Sequence, residues 1–121
     1  MNKKKPPEDF LPLTSAVFHI LIALADGPAH GYAIMREVVE RSGGSVRLGP
    51  GTLYGAIGRL LDDALIEECE KRPDPEMDDE RRRYYRLTNL GGRVLAAETG
   101  RLEDLVRAAR STRVVRKMKP A

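Results

Sequence analysis

The chain has 121 residues, a formal net charge of +3 and a single cysteine, which fits one domain with a modest core. No apolar run approaches the length of about 18 residues that a membrane-spanning helix needs, and the opening "MNKKKPPEDF" has no apolar stretch long enough for a signal peptide, so a cytoplasmic setting is expected. Cys69 cannot form an internal disulfide, and with His19 and His30 as the only histidines neither a metal site nor a cofactor is expected.

Residues 1–12 read as a flexible, basic and Pro-rich arm. In "LTSAVFHILIALADGP" the residues Leu13, Val17, Ile20, Leu21 and Leu24 recur at helical spacing, with Phe18 and Ile22 as a second apolar stripe. A helix apolar on most sides is packed between other elements. Thr14 or Ser15 is the candidate N-cap, and Asp26-Gly27-Pro28 ends the helix. The next helix, "HGYAIMREVVERSGG", turns Ile34, Met35, Val38 and Val39 inward. Glu37 and Arg41 stand four apart in the favourable order for an intrahelical pair.

The third helix, "GPGTLYGAIGRLLDDALI", is contradictory. Gly49 suits an N-cap and Pro50 the first helical position, and Leu53, Ile57, Leu60 and Ala64 form an apolar face. Yet Gly51, Gly55 and Gly58 fall in the same stretch, each weakening a helix by roughly 1 kcal/mol relative to Ala. Their spacing of four and then three places them on one face, opposite the apolar one. A face without side chains allows close approach of another body; packing against a protein helix, or tolerance of a weak helix, are the alternatives.

Two strand-like runs follow, "LIEECEKR" and "RRRYYRLT". Glu67, Glu68 and Glu70 on the first oppose Arg81, Arg82, Arg83 and Arg86 on the second, as an antiparallel hairpin would place them. The joining segment "PDPEMDDE" holds five acids and no base, leaving the rest of the chain at +8. Such a distribution suits contact with a polyanion, made from the base of the hairpin and not its acidic tip. Tyr84 and Tyr85 alternate, so one is expected in the core and the other outside. Finally Thr88 is the N-cap of a long helix running to about residue 117, with an apolar seam of Leu95, Leu102, Leu105, Val106 and Ala109. Residues 107–119 carry six bases and no acid, which near a helix C-terminus complements the helix dipole or assists nucleic-acid binding.

Helix, helix, helix, hairpin, long helix is the order of a winged helix-turn-helix: a mainly α fold with a two-stranded β wing, whose third helix enters the DNA major groove. The expected division is arm 1–12, winged domain 13–88, dimerisation helix 89–117 and tail 118–121. "HGYAI", "GTLYGAIGRLLDDALI" and "RRRYYRLTNLG" resemble, in order and spacing, the motifs of PadR-like transcriptional regulators over residues 13–95. The resemblance implies a homodimer paired through the C-terminal helix that usually represses nearby genes, and the two-fold symmetry of such a dimer calls for a palindromic operator in double-stranded DNA. In some members a small aromatic effector relieves repression. Two positions depart from the family pattern: Gly55 replaces a proline and Leu61 a glutamate. The chain has no Trp, so the tryptophan sandwich that holds flat aromatics in some short members does not carry over.

The candidate DNA-binding residues are therefore Gly51, Thr52, Tyr54, Gly55, Gly58 and Arg59 in the third helix, with Arg81, Arg82 and Arg83 in the wing. Tyr54 matches the family tyrosine and is a candidate phosphate contact; its other role is packing against the second helix. Thr52 and Arg59 either reach bases or phosphates or are merely solvated. The wing arginines either grip phosphates or neutralise the facing glutamates. Tyr32 is expected to close the turn between the first two helices, and His30 to cap the second. The competing function is a winged-helix module that binds an acidic protein. An enzyme is not expected, because no nucleophile–base pair, metal-ligand spacing or phosphate-binding glycine loop is present.

Overall fold

The computed structural model describes residues 5–70 and 82–118. After a single 3-10 turn, Pro7–Phe10, the elements are α1 (Ser15–Leu24), β1 (Ala29–His30), α2 (Gly31–Arg41), α3 (Pro50–Asp62), β2 (Ile66–Cys69), β3 (Tyr84–Leu87), α4 (Asn89–Arg110) and α5 (Arg113–Lys117). The strands form one antiparallel sheet in the order β1-β3-β2. The wing hairpin thus gains a third, two-residue strand, which is too short to leave a period-2 pattern in the sequence.

The helix starts follow from local chemistry. The Thr14 hydroxyl accepts from the Val17 N–H at 3.2 Å, the Thr88 hydroxyl from the Gly91 N–H at 3.0 Å, and His30 Nδ1 from the Ala33 N–H at 3.1 Å. Each satisfies a backbone donor that the first turn leaves without an intrahelical acceptor. Gly49 and Pro50 take the N-cap and first helical positions of α3, with no side-chain cap. At its other end α3 stops two residues before Ala64, which is exposed and adopts a left-handed φ of 59°. The Leu65 N–H donates to the Leu60 carbonyl and the Ala64 N–H to the Leu61 carbonyl, both at 3.0 Å, the bond pair of a Schellman cap. Ala64 is therefore not on the apolar face of α3; Ala56 fills that place beside Leu53, Ile57 and Leu60.

Helix α1 is central, touching α2, α3, α4 and β3. Its Ile20, Leu21 and Leu24 meet Ile34 and Val38 of α2, the four buried residues of α3, then Leu65, Ile66, Tyr85 and Val94. Glu37 and Arg41 make the expected pair at 2.6 Å. In the wing, Glu67 stands opposite Arg86 and the two bond at 2.7 Å.

Three features differ from expectation. Within the supposed flexible arm, the turn Pro7–Phe10 packs on α4 and buries Pro7, so this part of the N-terminal segment belongs to the folded body. The long C-terminal helix is interrupted: α4 ends at Arg110, and Thr112 caps a separate α5 through the Val115 N–H. Tyr84 and Tyr85 are both buried, each 5% exposed. Tyr85 joins the core, whereas Tyr84 lies against the His30 ring, with centroids 5.3 Å apart and the planes at 88°. The unforeseen β1 supplies that cover.

Glu98 is a further surprise. Its side chain is 2% exposed, accepts from the Leu13 N–H at 2.8 Å and takes two bonds from the Arg101 guanidinium. The Arg101 bond, opposed by burial and aided by the Leu13 N–H, holds the Glu98 carboxyl below its ordinary value. This carboxylate ties the segment before α1 to the middle of α4.

Candidate nucleic-acid interface

The three glycines of α3 share an outward face. A Cβ built at Gly51 or Gly58 would meet nothing within 4 Å, and one at Gly55 only Arg59 Nη1, at 3.7 Å. Packing of this face against another helix of the same chain is thus excluded among the described residues. Thr52 and Arg59 are exposed beside it, and the Arg59 guanidinium lies back along the helix toward Gly55.

Tyr54 does two things at once. Its ring is half exposed, yet its hydroxyl end presses on Gly31, where a Cβ would collide with the Tyr54 hydroxyl. Gly31 is the first residue of α2, so the absence of a side chain there lets the tyrosine of α3 lie over the start of α2. Packing and an exposed aromatic surface therefore coexist in one residue.

Beside Tyr54 lies a depression of about 420 Å³ lined by His30, Gly31, Tyr32, Arg82, Arg83 and Tyr85. Tyr32 does not close a turn as expected. It is 57% exposed, stacks near the His30 ring at 6.4 Å and carries the Arg36 guanidinium 5.6 Å above its face. His30 caps α2, as the sequence leads one to expect. Arg82 Nη1 lies 2.9 Å from His30 Nε2, while Arg83 reaches Glu68 at 3.7 Å and remains largely exposed. Burial, with the Glu68 carboxylate adding to it, keeps the Tyr85 phenol above its ordinary value and so neutral. Arg81 and the acidic segment 73–80 lie outside the described residues.

The α3 residues and two of the three arginines expected in the wing are thus brought to one side: a face open to close approach, two exposed tyrosines, and guanidinium groups from α2 and from Arg82 and Arg83 just before β3. Phenolic O–H and guanidinium N–H donors suit phosphate oxygens. His30, Tyr32 and Arg36 were not among the site residues inferred from sequence, because they join the site only through the sheet and the α2–α3 crossing. The seam of α4 divides. Leu95 packs against the core, Leu102 is half-buried, and Leu105, Val106 and Ala109 are exposed. Among the described residues no cluster of three or more His, Cys, Asp or Glu could hold a metal, and no helix is long and apolar enough to cross a membrane.

The chain is similar to proteins already known. A protein of Streptomyces fradiae, the uncharacterized 37.1 kDa protein in transposon TN4556, is 43% identical over 79 residues, 65% of this chain; the match spans only 20% of that protein's length. A transcriptional regulator of Mycobacterium tuberculosis is 37% identical over 89 residues, covering 74% of this chain and 77% of the relative. The crystal structure of a PadR family transcription regulator from Clostridium difficile superposes with a TM-score of 0.66 at 28% identity, over 78% of this chain and 94% of that one. Residues 20–97 match the transcriptional regulator PadR-like family. Those residues run from α1 into α4 and include α3 and both strands of the wing, so the chain belongs to the PadR-like family of transcriptional regulators.

Proposed function

We propose that the protein is a homodimeric, sequence-specific DNA-binding repressor that seats two copies of α3 in successive major grooves of a palindromic operator. The observation that carries this reading is the outward face of α3. Gly51, Gly55 and Gly58 leave it open, Thr52, Tyr54 and Arg59 border it, and Arg82 and Arg83 stand alongside. In this reading the helix sits deep in the groove and the three bordering side chains touch the duplex there. The wing arginines, Arg81 with them, hold backbone phosphates, which position without reading sequence.

The dimer rests on exposed apolar surface beyond the winged domain. Leu105 and Val106 on α4 are 53% and 50% exposed, and Val114, Val115 and Met118 around α5 are 70%, 41% and 68% exposed. One copy leaves this surface in water; two copies can cover it. Relief by a small aromatic effector, implied by the family resemblance for some members, needs a site built without tryptophan, since the chain has none.

Selection of bound duplexes from a random pool tests the reading, with affinity then measured across salt concentrations. The expected product is a palindrome whose half-sites lie about one DNA turn apart. Affinity is expected to fall steeply with salt through counterion release. Replacing Arg82 and Arg83 by Ala should weaken all duplexes alike and reduce the salt slope by about 1 for each phosphate that is no longer neutralised. Failure to enrich any duplex, together with capture of acidic proteins, would favour the protein-interaction module instead.

A further inference from the structure

Arg36 is an exposed cation set among acids, yet among the described residues it pairs with none of them. With Asp26, Glu37 and Glu40 it borders a hollow of about 610 Å³. Arg41 takes Asp26 and Glu37, at 3.4 and 2.6 Å. Glu40 stands one turn after Arg36, the weaker order for a pair within a helix. Long helical side chains lean toward the helix N-terminus, and one turn back on that side stands Tyr32. The Arg36 guanidinium lies 5.6 Å above the Tyr32 ring, within the range of a cation–π attraction. A ring face attracts the cation but offers no oxygen, so the N–H donors remain open to an acceptor from outside the chain. Tyr32 is itself 57% exposed and borders the depression beside Tyr54, together with Arg82 and Arg83. It thereby carries Arg36 at the edge of the face proposed to meet DNA.

We propose that Arg36 is a DNA-contacting residue of α2: held over the Tyr32 ring, its guanidinium takes one backbone phosphate of the bound duplex. Tyr32 is the positioning residue, acting through its ring and not its hydroxyl. This rests on the DNA-binding reading and extends the contact surface beyond α3 and the wing to the middle of α2. A planar fork of donors suits phosphate oxygens. The ring restricts a long side chain in advance, so less rotamer freedom is lost when the phosphate arrives. The contact positions the duplex and reads no sequence.

Both side chains are exposed, so substitutions at either should leave circular dichroism and melting temperature unchanged. The full chain is tested with the selected duplex as probe. Arg36→Ala should lose about tenfold in affinity for each copy bound, equally for specific and unrelated duplexes. Its salt slope should fall by about 1 for each copy. Tyr32→Phe keeps the ring and should bind like the wild type. Tyr32→Ala should lose about threefold with the slope kept, because the charge is still present. Added to Arg36→Ala, Tyr32→Ala should cost nothing more, because the ring acts only through the arginine. Neutral methylphosphonates, placed one at a time along the duplex, should reveal one phosphate per half-site that the wild type needs and Arg36→Ala does not. An unchanged slope in Arg36→Ala, or absence of such a phosphate, would overturn the contact. Equal losses in Tyr32→Phe and Tyr32→Ala, or a further loss in the double variant, would overturn the role of the ring. Absence of duplex binding by the wild type itself would instead overturn the DNA-binding reading beneath it.

Discussion

Glycine has opposite meanings at different positions of this chain. At Gly91 a Cβ would collide with the Leu65 backbone carbonyl, so packing requires this glycine; at Gly31 a Cβ would collide with the Tyr54 hydroxyl, and the half-exposed ring would have to swing aside. Gly55 and Gly58 face open space apart from one flexible arginine, so the fold does not need them. Alanine at either should stabilise α3 by up to roughly 1 kcal/mol. Leucine should leave the melting temperature unchanged or raised while operator affinity falls more than with alanine. Normal operator binding by Gly55→Leu and Gly58→Leu would end the idea that DNA approaches this face closely. Glu98 gives a second prediction at this scale. Its carboxyl is depressed chiefly by the Arg101 bond, so its contribution is complete above the pH where an unfolded glutamate ionises and is lost as pH falls through the lower folded value. Glu98→Gln should therefore destabilise the protein by about 2 kcal/mol at neutral pH. The gap between the two stability curves should close toward acid. A gap that stays constant with pH would mean that Glu98 acts by shape alone.

Among the elements, ends and interruptions are the informative places. Helix α3 ends on an alanine in the left-handed region, where a Cβ is crowded by the neighbouring carbonyl. Ala64→Gly keeps both Schellman bonds and removes that crowding, so a gain of about 1 kcal/mol is expected, read as a raised midpoint of urea unfolding. An unchanged or lowered midpoint would show that the unfolded chain's greater freedom outweighs the relief. The wing divides its arginines by position. Arg86 is engaged with Glu67 across the strand pair, Arg83 only loosely with Glu68, and Arg82 turns toward His30. Charge pairing across the strands thus falls mainly to Arg86, while the proposed phosphate contacts fall to other residues of the same basic run.

For the whole molecule, the question is how the winged domain would be joined to a partner copy. The first half of α4 belongs to the domain: Val94 is in the core, and Glu98 anchors the Leu13 N–H. The second half projects with Leu105 and Val106 exposed. Removal of everything after residue 92 would destroy the core along with the proposed interface. Leu105→Glu with Val106→Glu is the cleaner test, since neither side chain is buried in one copy. The double variant should remain folded by circular dichroism and sediment as a monomer, and it should lose much of its affinity for the two-half-site operator. It should retain weak binding to a single half-site. A variant that still sediments as a dimer would place the interface elsewhere.

What the sequence determines here is whatever depends on near neighbours in the chain. Thr14, Thr88 and Pro50 mark helix starts because caps act over three residues; helical spacing exposes the buried faces of α1, α2 and α3; opposed charges pair Glu67 with Arg86. Even the glycine face of α3 is visible, because a helix projects residues by their spacing alone. Tertiary structure decides the rest. Strand β1 exists only because residues 29 and 30 pair with Tyr85 and Tyr84, more than fifty residues along the chain. Burial of Tyr84, the anchoring of Leu13 by Glu98 and the union of His30 with Arg82 each need chain segments from opposite sides of α3 to meet. No local periodicity encodes such meetings: the energy comes from burial and hydrogen bonding between distant segments, and is gained only once the chain has closed on itself.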